Sequence, residues 1–358
     1  MKDIFRKKLT RREFIKKGIL AAAGLGIGLY AANRIFTGSI TSGSVFRDEA
    51  PEDLWKWSKE CYHYVKLGRN VQCQICPNRC ILEPGDRSIC RVKVNRDGKL
   101  YTLVYGNPCS VHIDPIEKKP LYHFLPGSGA FSVATAGCNF RCLNCQNWQI
   151  SQSRPEETQN TELFPEGVVS EAAKAKCNSI AYTYSEPTAF YEYMYDTSKL
   201  AREKGLKNLW ITNGYINREA LLDLCRYLDA ANVDLKSFRE EIYNRLNSGR
   251  LQPVLNTLLT LKQQGVWFEI TNLVVPTYTD DLDMIREMCV WIKSNLGGDY
   301  PLHFSRFYPR HKLRSLPPMP VDFLEKARAV ALDEGCLLYT SDAADEGLGV
   351  DLGGRRII

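Results

Sequence analysis

The chain has 358 residues, of which 44% are hydrophobic and 25% are charged. This composition is ordinary for a globular protein, and the length accommodates one large α/β domain with a small addition. The formal net charge of +6 lies in residues 1–17, and the remaining residues carry 39 charges of each sign. A nucleic-acid-binding protein needs a basic body, so the charge pattern predicts no nucleic-acid partner.

The first predicted element is an export signal in residues 1–32. The sequence TRREFIK at residues 10–16, which contains Arg11 and Arg12, matches the twin-arginine pattern, and an uncharged Ala/Gly-rich run follows to Ala32. We expect a leader or retained anchor that the twin-arginine translocase recognises. The enzyme is then periplasmic or on the outer face of the cytoplasmic membrane; a basic N-terminus on a cytoplasmic enzyme is the alternative.

A polar linker is predicted for residues 33–60, with a short aromatic helix around residues 54–57. Residues 61–125 are predicted to form a small Cys-rich subdomain. Four of its cysteines follow the spacing C-x2-C-x3-C-x9-C: Cys73, Cys76, Cys80 and Cys90. This spacing suits zinc or an auxiliary Fe–S cluster, because thiolates bind both, and reduced structural thiols are the alternative. Cys61 and Cys109 could substitute as ligands.

A second cysteine set follows a strand-like run at residues 131–135. It has the spacing C-x3-C-x2-C, formed by Cys138, Cys142 and Cys145, and Gly137 permits a tight turn out of the strand. Iron–sulfur cubanes usually have four cysteine ligands, so a set of three leaves one iron open to a substrate. A structural zinc loop is the competing hypothesis, but it would need a fourth ligand.

Strand-like and helix-like segments alternate after this set. The predicted helices include residues 188–204, 217–229 and 280–295, and the further predicted strands are 179–183, 208–212, 232–235, 266–273 and 302–306. This alternation predicts an α/β fold with a partial (β/α)6 barrel over residues 126–335. Functional residues in barrels lie at the carboxyl ends of strands.

Polar residues follow three of these predicted strands. Ser185 and Glu186 come after the second strand, Asn213 after the third, and Asp234 and Lys236 at the end of the fourth. Each position taken alone is equally compatible with a turn, a helix cap or a solvated charge. Their repeated occurrence at strand ends indicates one shared site.

The C-x3-C-x2-C loop after the first strand resembles the radical S-adenosylmethionine (SAM) superfamily. The resemblance implies a [4Fe–4S] cluster on the three cysteines, SAM on the open iron, and an electron donor. Reductive cleavage of SAM then gives a 5′-deoxyadenosyl radical that abstracts hydrogen from a substrate. It also implies that Ser185 and Glu186 bind the SAM amino group, and that Asn213, Asp234 and Lys236 border its methionine and ribose parts.

Three further segments resemble the radical SAM component of the AmmeMemoRadiSam system, which is akin to pyruvate formate-lyase activating enzymes. They are residues 73–91, 114–124 (DPIEKKPLYHF) and 145–151 (CQNWQIS). The resemblance implies hydrogen abstraction from a protein or peptide. Modification of a small molecule and a non-catalytic Fe–S electron carrier are the alternatives.

Two histidines, a lysine pair and the C-terminal segment are not assigned to the predicted site. His123 and His303 are predicted to be satisfied structural histidines rather than proton donors, and Lys118 and Lys119 a solvated pair. The segment 336–358 resembles translated sequencing-adapter sequence, so we expect that it is not native and that the natural chain continues differently after Gly335.

Overall fold

The computed structural model describes residues 45–47, 49–336 and 339–341. The predicted leader at residues 1–32, residues 33–44 of the predicted linker and most of the segment 336–358 lie outside the described residues. The expected aromatic helix is present as a 3-10 helix, Glu52–Trp57. Among the residues described, none of the helices is both long and apolar enough to span a bilayer.

The main sheet contains eight strands among the described residues. They are β7 (Ser110–Pro115), β8 (Gly129–Ala134), β9 (Ser179–Tyr182), β10 (Lys207–Thr212), β11 (Ala230–Asp234), β12 (Trp267–Val274), β13 (Leu302–Arg306) and β14 (Tyr339–Ser341). They lie in the order β14-β13-β12-β11-β10-β9-β8-β7, and β8 to β14 are parallel. The six predicted strands are present, and the predicted α/β partial barrel is confirmed.

The edge strand β7 differs from its neighbours because it pairs antiparallel with β8, from Ser110 opposite Ala134 to Pro115 opposite Gly129. Six residues of the predicted Cys-rich subdomain therefore belong to the barrel sheet. The boundary between residues 125 and 126 does not coincide with the edge of that sheet.

Helices connect the parallel strands. The α-helices of the described residues are Trp148–Ser151, Pro165–Lys174, Tyr191–Glu203, Arg218–Cys225, Glu240–Ile242, Leu251–Gln264, Leu282–Asn295 and Val321–Asp333. Local sequence sets several of their ends. Asp281 caps the helix Leu282–Asn295 by accepting from the backbone N–H groups of Asp283 and Met284. Gly265 ends the helix Leu251–Gln264 in the left-handed conformation.

The two faces of the sheet bury different partners because successive strand residues point to opposite sides. Phe131, Ile180 and Trp210 belong to the large core that includes the helices. The alternate residues, among them Ala130 and Ala181, line what we call the inner face. Residues 116–124, here the base segment, cover part of that face, since Ile116 and Leu121 pack against these alanines.

The base segment also buries a charge. Lys119 is completely buried and donates to Asp114 Oδ2 at 2.5 Å, while Lys118 donates to Asp114 Oδ1 at 3.0 Å. The prediction of a solvated lysine pair is therefore wrong for Lys119. Burial lowers the pKa of Lys119 to about 8, although the Asp114 carboxylate opposes this shift. Sequence alone did not reveal the partner because Asp114 lies on a strand that was not predicted.

The Cys-rich region consists of two small antiparallel sheets. One has the order β2 (Tyr64–Leu67), β3 (Asn70–Cys73) and β4 (Ile81–Leu82); the other has β1 (Lys59–Glu60), β6 (Lys99–Thr102) and β5 (Lys93–Arg96). A buried ion pair joins this region to the helix Tyr191–Glu203, because Lys93 Nζ lies 2.6 Å from Glu192 Oε2. Both side chains are almost fully shielded from solvent.

Candidate functional site

The loop at residues 137–145, here the cluster loop, begins where β8 ends. It carries Cys138, which is buried, and Cys142 and Cys145, which are partly buried. The backbone N–H of Phe140 lies 3.3 Å from Cys138 Sγ, and Asn247 Nδ2 lies 3.2 Å from Cys142 Sγ. Such N–H donors orient and stabilise sulfur ligands in metal sites. The loop therefore has the surroundings of a thiolate centre.

The three thiols of the cluster loop are difficult to ionise without a compensating positive charge. Burial, and then the negative charge of Glu186, raise the pKa of Cys138 well above its usual range. Burial, and then the Cys142 thiolate, raise the pKa of Cys145 to about 12. A metal centre supplies that positive charge and releases the thiol protons on binding.

Asn213 lies just beyond β10 and is connected to the cluster loop. Its Nδ2 donates to Asn139 Oδ1 at 2.8 Å, and Asn139 Nδ2 donates to the carbonyl of Tyr215 at 2.8 Å. Asn213 Oδ1 in turn accepts from the Tyr215 backbone N–H at 2.9 Å. Asn139 was not singled out from the sequence, because it occupies an unspecified position between Cys138 and Cys142.

Glu186 is buried directly beside this network. Its carboxylate accepts from Thr212 Oγ1 at 2.8 Å, from the Asn213 backbone N–H at 2.8 Å and from the Thr188 backbone N–H at 3.0 Å. Burial nevertheless raises the pKa of Glu186. A carboxylate has about four acceptor positions, so one is left for a further donor. Ser185 turns elsewhere and donates to the carbonyl of Thr135 at 2.7 Å.

Asp234 and Lys236, at the end of β11 and just after it, are the last of the predicted site residues. Lys236 Nζ lies 2.8 Å from Asp234 Oδ2, and the Lys236 backbone N–H donates to Tyr243 Oη at 3.0 Å. The Lys236 ammonium opposes the burial that raises the pKa of Cys142, so it lies within electrostatic range of the cluster loop. The structure thus gathers the polar residues predicted at three strand ends around one loop.

Asn247 was missed by the sequence analysis although it contacts Cys142 directly. It ends a π-helical turn, Tyr243–Asn247, whose carbonyls accept from the cluster loop: Arg141 N–H to Asn247 and Leu143 N–H to Leu246. No local pattern marks this turn as part of a site. Only the fold places it against the cysteines.

The N-terminal cysteines form a second group of buried thiols. Burial raises the pKa of Cys73 to about 11, while burial and the other three cysteines of the set raise that of Cys76 well above its usual range. Cys61 Sγ lies 3.5 Å from Lys93 Nζ. Burial and Glu192 raise the pKa of Cys61, and the Cys73 thiolate adds to this rise, so Cys61 borders the group. Cys109 instead lies beside Thr158. Of the two predicted substitutes, only Cys61 is close to the set.

The two cysteine sets are adjacent in space, and one glycine makes this possible. Gly137 has φ +97°, and a Cβ atom there would lie 2.4 Å from the Cys90 carbonyl oxygen and 2.6 Å from Val92 Cγ1. Asn78 Nδ2 adds a hydrogen bond of 2.9 Å to the carbonyl of Asn139. The loop that carries Cys90 therefore packs directly on the cluster loop.

Comparisons with known proteins give a superfamily and several relatives. The model of the radical SAM superfamily matches residues 132–289. The uncharacterized protein MJ0808 of Methanocaldococcus jannaschii is 48% identical over 278 residues, which cover 77% of this chain and 83% of that protein. The pyruvate formate-lyase-activating enzyme of Clostridium pasteurianum is 24% identical over 169 residues, covering 44% of this chain and 67% of that enzyme. Among solved structures, a radical SAM methyltransferase from Sphaerobacter thermophilus has a TM-score of 0.49, with 14% identity and 93% of each chain covered.

Proposed function

Because the chain belongs to the radical SAM superfamily of enzymes, we propose that Cys138, Cys142 and Cys145 bind the [4Fe–4S] cluster that this superfamily uses with SAM. The observation that carries the proposal is the convergence of one buried and two partly buried thiols with polar groups from three neighbouring strand ends. The residues fit the group: the thiols share one loop, N–H donors face Cys138 and Cys142, and the cluster loop supplies no fourth cysteine.

When bound, the cluster supplies the electron that breaks the C5′–S bond of SAM, which gives methionine and a 5′-deoxyadenosyl radical. The chain's own residues bind and orient the SAM. The remaining acceptor position of Glu186 takes the SAM ammonium in a charge-assisted hydrogen bond. Asn213 and the Asp234–Lys236 pair border the rest of the molecule. An external electron donor is required for each cleavage.

The proposed substrate is a protein or peptide from which the radical abstracts a hydrogen atom. Similarity to a pyruvate formate-lyase-activating enzyme supports this proposal. The segments 114–124 and 145–151 support the finer assignment to the AmmeMemoRadiSam type of radical SAM enzyme. A glycyl radical signal that appears when the reduced enzyme and SAM are incubated with cell lysate would support the activase assignment. A small molecule as the only modified product would contradict it.

The N-terminal set, Cys73, Cys76, Cys80 and Cys90, is proposed to bind a second metal centre. Thiolates bind both zinc and an Fe–S cluster, so the set suits either metal. Metal and sulfide analysis of a protein without Cys138, Cys142 and Cys145 distinguishes the two: iron with sulfide indicates a cluster, and zinc alone indicates a single ion. Neither metal in that protein would refute the second centre.

The central proposal is tested by removing the three cluster-loop thiols. A triple Cys→Ala variant at residues 138, 142 and 145 should lose 5′-deoxyadenosine formation with dithionite and SAM. The matched control replaces three buried cysteines outside both sets, Cys177, Cys225 and Cys289, by alanine. The control should retain the reaction. Continued SAM cleavage by the triple cluster-loop variant would refute the assignment.

Export by the twin-arginine route is also proposed, on the sequence of residues 10–16. Lysine preserves the charge but lacks the planar guanidinium of arginine. Replacement of Arg11 and Arg12 together by lysine should therefore retain the protein in the cytoplasm in cell fractionation. An unchanged distribution would instead indicate a cytoplasmic enzyme with a basic N-terminus.

A further inference from the structure

A second group of ligating side chains lies at the base segment, away from both cysteine sets. Glu269 comes from β12, His303 from β13 and His123 from the base segment. His303 Nε2 lies 2.7 Å and His123 Nδ1 lies 3.4 Å from the same oxygen, Glu269 Oε2. The ligand atoms of the three residues all lie within 4.8 Å of one another, and no other such group occurs in the described part of the chain.

The carboxylate at the centre of this group is fixed and charged. Glu269 is fully buried, and it accepts from the backbone N–H groups of Tyr122 at 3.0 Å and His123 at 2.9 Å. Trp267 Nε1 lies 3.3 Å from its other oxygen. Although burial opposes ionisation, the hydrogen bonds from His303 and the two backbone amides lower the pKa of Glu269. Hydrogen bonds of this kind orient a carboxylate ligand in metal sites.

We propose that His123, Glu269 and His303 bind a divalent transition-metal ion of the zinc or iron(II) class. Such ions bind imidazole nitrogen and carboxylate oxygen at about 2.0–2.2 Å, so neighbouring ligand atoms lie about 3 Å apart. The observed separations of 2.7 and 3.4 Å bracket that value. Two histidines and one carboxylate also leave coordination positions open, as in catalytic rather than structural sites.

The exposure of the three side chains fits metal binding. His303 is 3% and Glu269 is 0% exposed, whereas His123 is 31% exposed. The two buried ligands therefore form the fixed part of the site, and His123 lies where an ion enters from solvent. The sequence predicts structural roles for His123 and His303, and the hydrogen bonds that join Glu269 to the base segment are consistent with that prediction. Metal binding is a second role for the same side chains, because the backbone amides and the imidazoles contact the Glu269 carboxylate independently.

The group lies on the same face of the sheet as part of the proposed SAM site. Glu269 and Thr271 lie on the same side of β12, and Thr271 is in register with Asp234, so Glu269 lies about 7 Å along the strand from the level of Asp234. The metal site is therefore separate from the residues proposed to bind SAM.

Cobalt(II) is a suitable probe because its spectrum distinguishes nitrogen and oxygen ligands from thiolates. The full chain, reconstituted with its Fe–S content, should bind one equivalent of cobalt without a new thiolate charge-transfer band. His123→Ala should lose this equivalent while it keeps the backbone N–H that donates to Glu269. The matched control is His63→Ala: His63 Nε2 also faces a carboxylate, Asp223 Oδ2 at 3.5 Å, but it is not part of a three-ligand group.

Thermal melting provides the second measurement. Cobalt should raise the melting temperature of the wild type and of His63→Ala but not that of His123→Ala. Equal cobalt binding, or an equal shift in melting temperature, in wild type and His123→Ala would overturn the metal site. Neither measurement involves SAM turnover. A failure here therefore leaves the proposed reaction untouched, and a failure of SAM cleavage leaves this result untouched.

Discussion

The two cysteine sets lie side by side, but they differ in the charges around them. In the cluster loop, burial and the negative charge of Glu186 raise the pKa of Cys138, while the Lys236 ammonium opposes the rise at Cys142 but is paired with Asp234. The N-terminal set instead borders the buried Lys93 ammonium, whose pKa is raised by Cys61 and Glu192 although burial opposes the shift. The N-terminal set therefore borders a buried lysine, whereas the cluster loop borders a buried carboxylate that has a vacant acceptor position.

This difference indicates different roles for two chemically similar sets. Four thiolates can complete the coordination of a metal centre without a further ligand. Three thiolates and a buried carboxylate leave negative charge that a cationic ligand can balance. SAM carries both a sulfonium and an ammonium group. The comparison therefore predicts that the N-terminal set contributes to stability and that the cluster loop contributes to ligand binding.

The largest effect is expected where the buried lysine is removed. Lys93→Met leaves the Glu192 carboxylate buried without its partner and should lower the free energy of unfolding by about 3–5 kcal/mol. Lys59→Met is the matched control, since Lys59 lies 2.6 Å from Asp196 but is a third exposed, and should cost about 0–1 kcal/mol. Urea denaturation measures both.

A second substitution sharpens this test. In Lys93→Met, the further change Glu192→Leu removes the uncompensated carboxylate, so part of the lost stability should return. Equal, small losses in Lys93→Met and Lys59→Met would show that Lys93 is not an important cation of the N-terminal set.

An intermediate effect is expected at the contact between the two sets. Gly137→Ala places a Cβ 2.4 Å from the Cys90 carbonyl and also strains a backbone with φ +97°. We expect a loss of about 3 kcal/mol in unfolding free energy. Gly68→Ala is the control, because Gly68 has φ +68° but no atom within 4 Å of the added Cβ, and it should cost about 1 kcal/mol. Similar losses of unfolding free energy in Gly137→Ala and Gly68→Ala would mean that stability does not depend on the close packing of the two cysteine sets.

The smallest effect is expected for Glu186→Gln. The substitution keeps the shape but turns a charge-assisted hydrogen bond to SAM into a neutral one, at a cost of about 1 kcal/mol, or roughly a fivefold weaker affinity. The iron content should not change, because no thiol is removed. Equilibrium SAM binding to the reconstituted protein measures the effect. Wild-type affinity would exclude Glu186 as the ammonium acceptor.

The parallel strands were predictable because each is a short apolar run between helical segments, and β13 has the predicted bounds, Leu302–Arg306. The observed strand bounds differ from the predicted ones where strand propensity is weak. β11 begins at Ala230 rather than residue 232, because alanine does not favour strands. The edge strand β7 was missed. It has exposed residues, ends in proline, and is defined only by its pairing with β8.

The residues of the candidate site also divide into those that the sequence predicts and those that it does not. Residues that directly follow a strand, such as Glu186 and Asn213, were predictable because strand ends share one edge of the sheet. Asn247 and the Lys93–Glu192 pair were not, since their partners are distant in sequence and only packing brings them together. The same holds for the group of His123, Glu269 and His303, since His123 and His303 lie 180 positions apart in the chain.

The base segment bears on how a substrate would approach the proposed site. Ile116 and Leu121 pack against the strand starts, and the side-chain amide of Asn232 donates to the carbonyl of Pro120 at 2.9 Å, so this end of the inner face is covered. The proposed substrate would therefore approach from the opposite end, where the strands finish and the cluster loop begins.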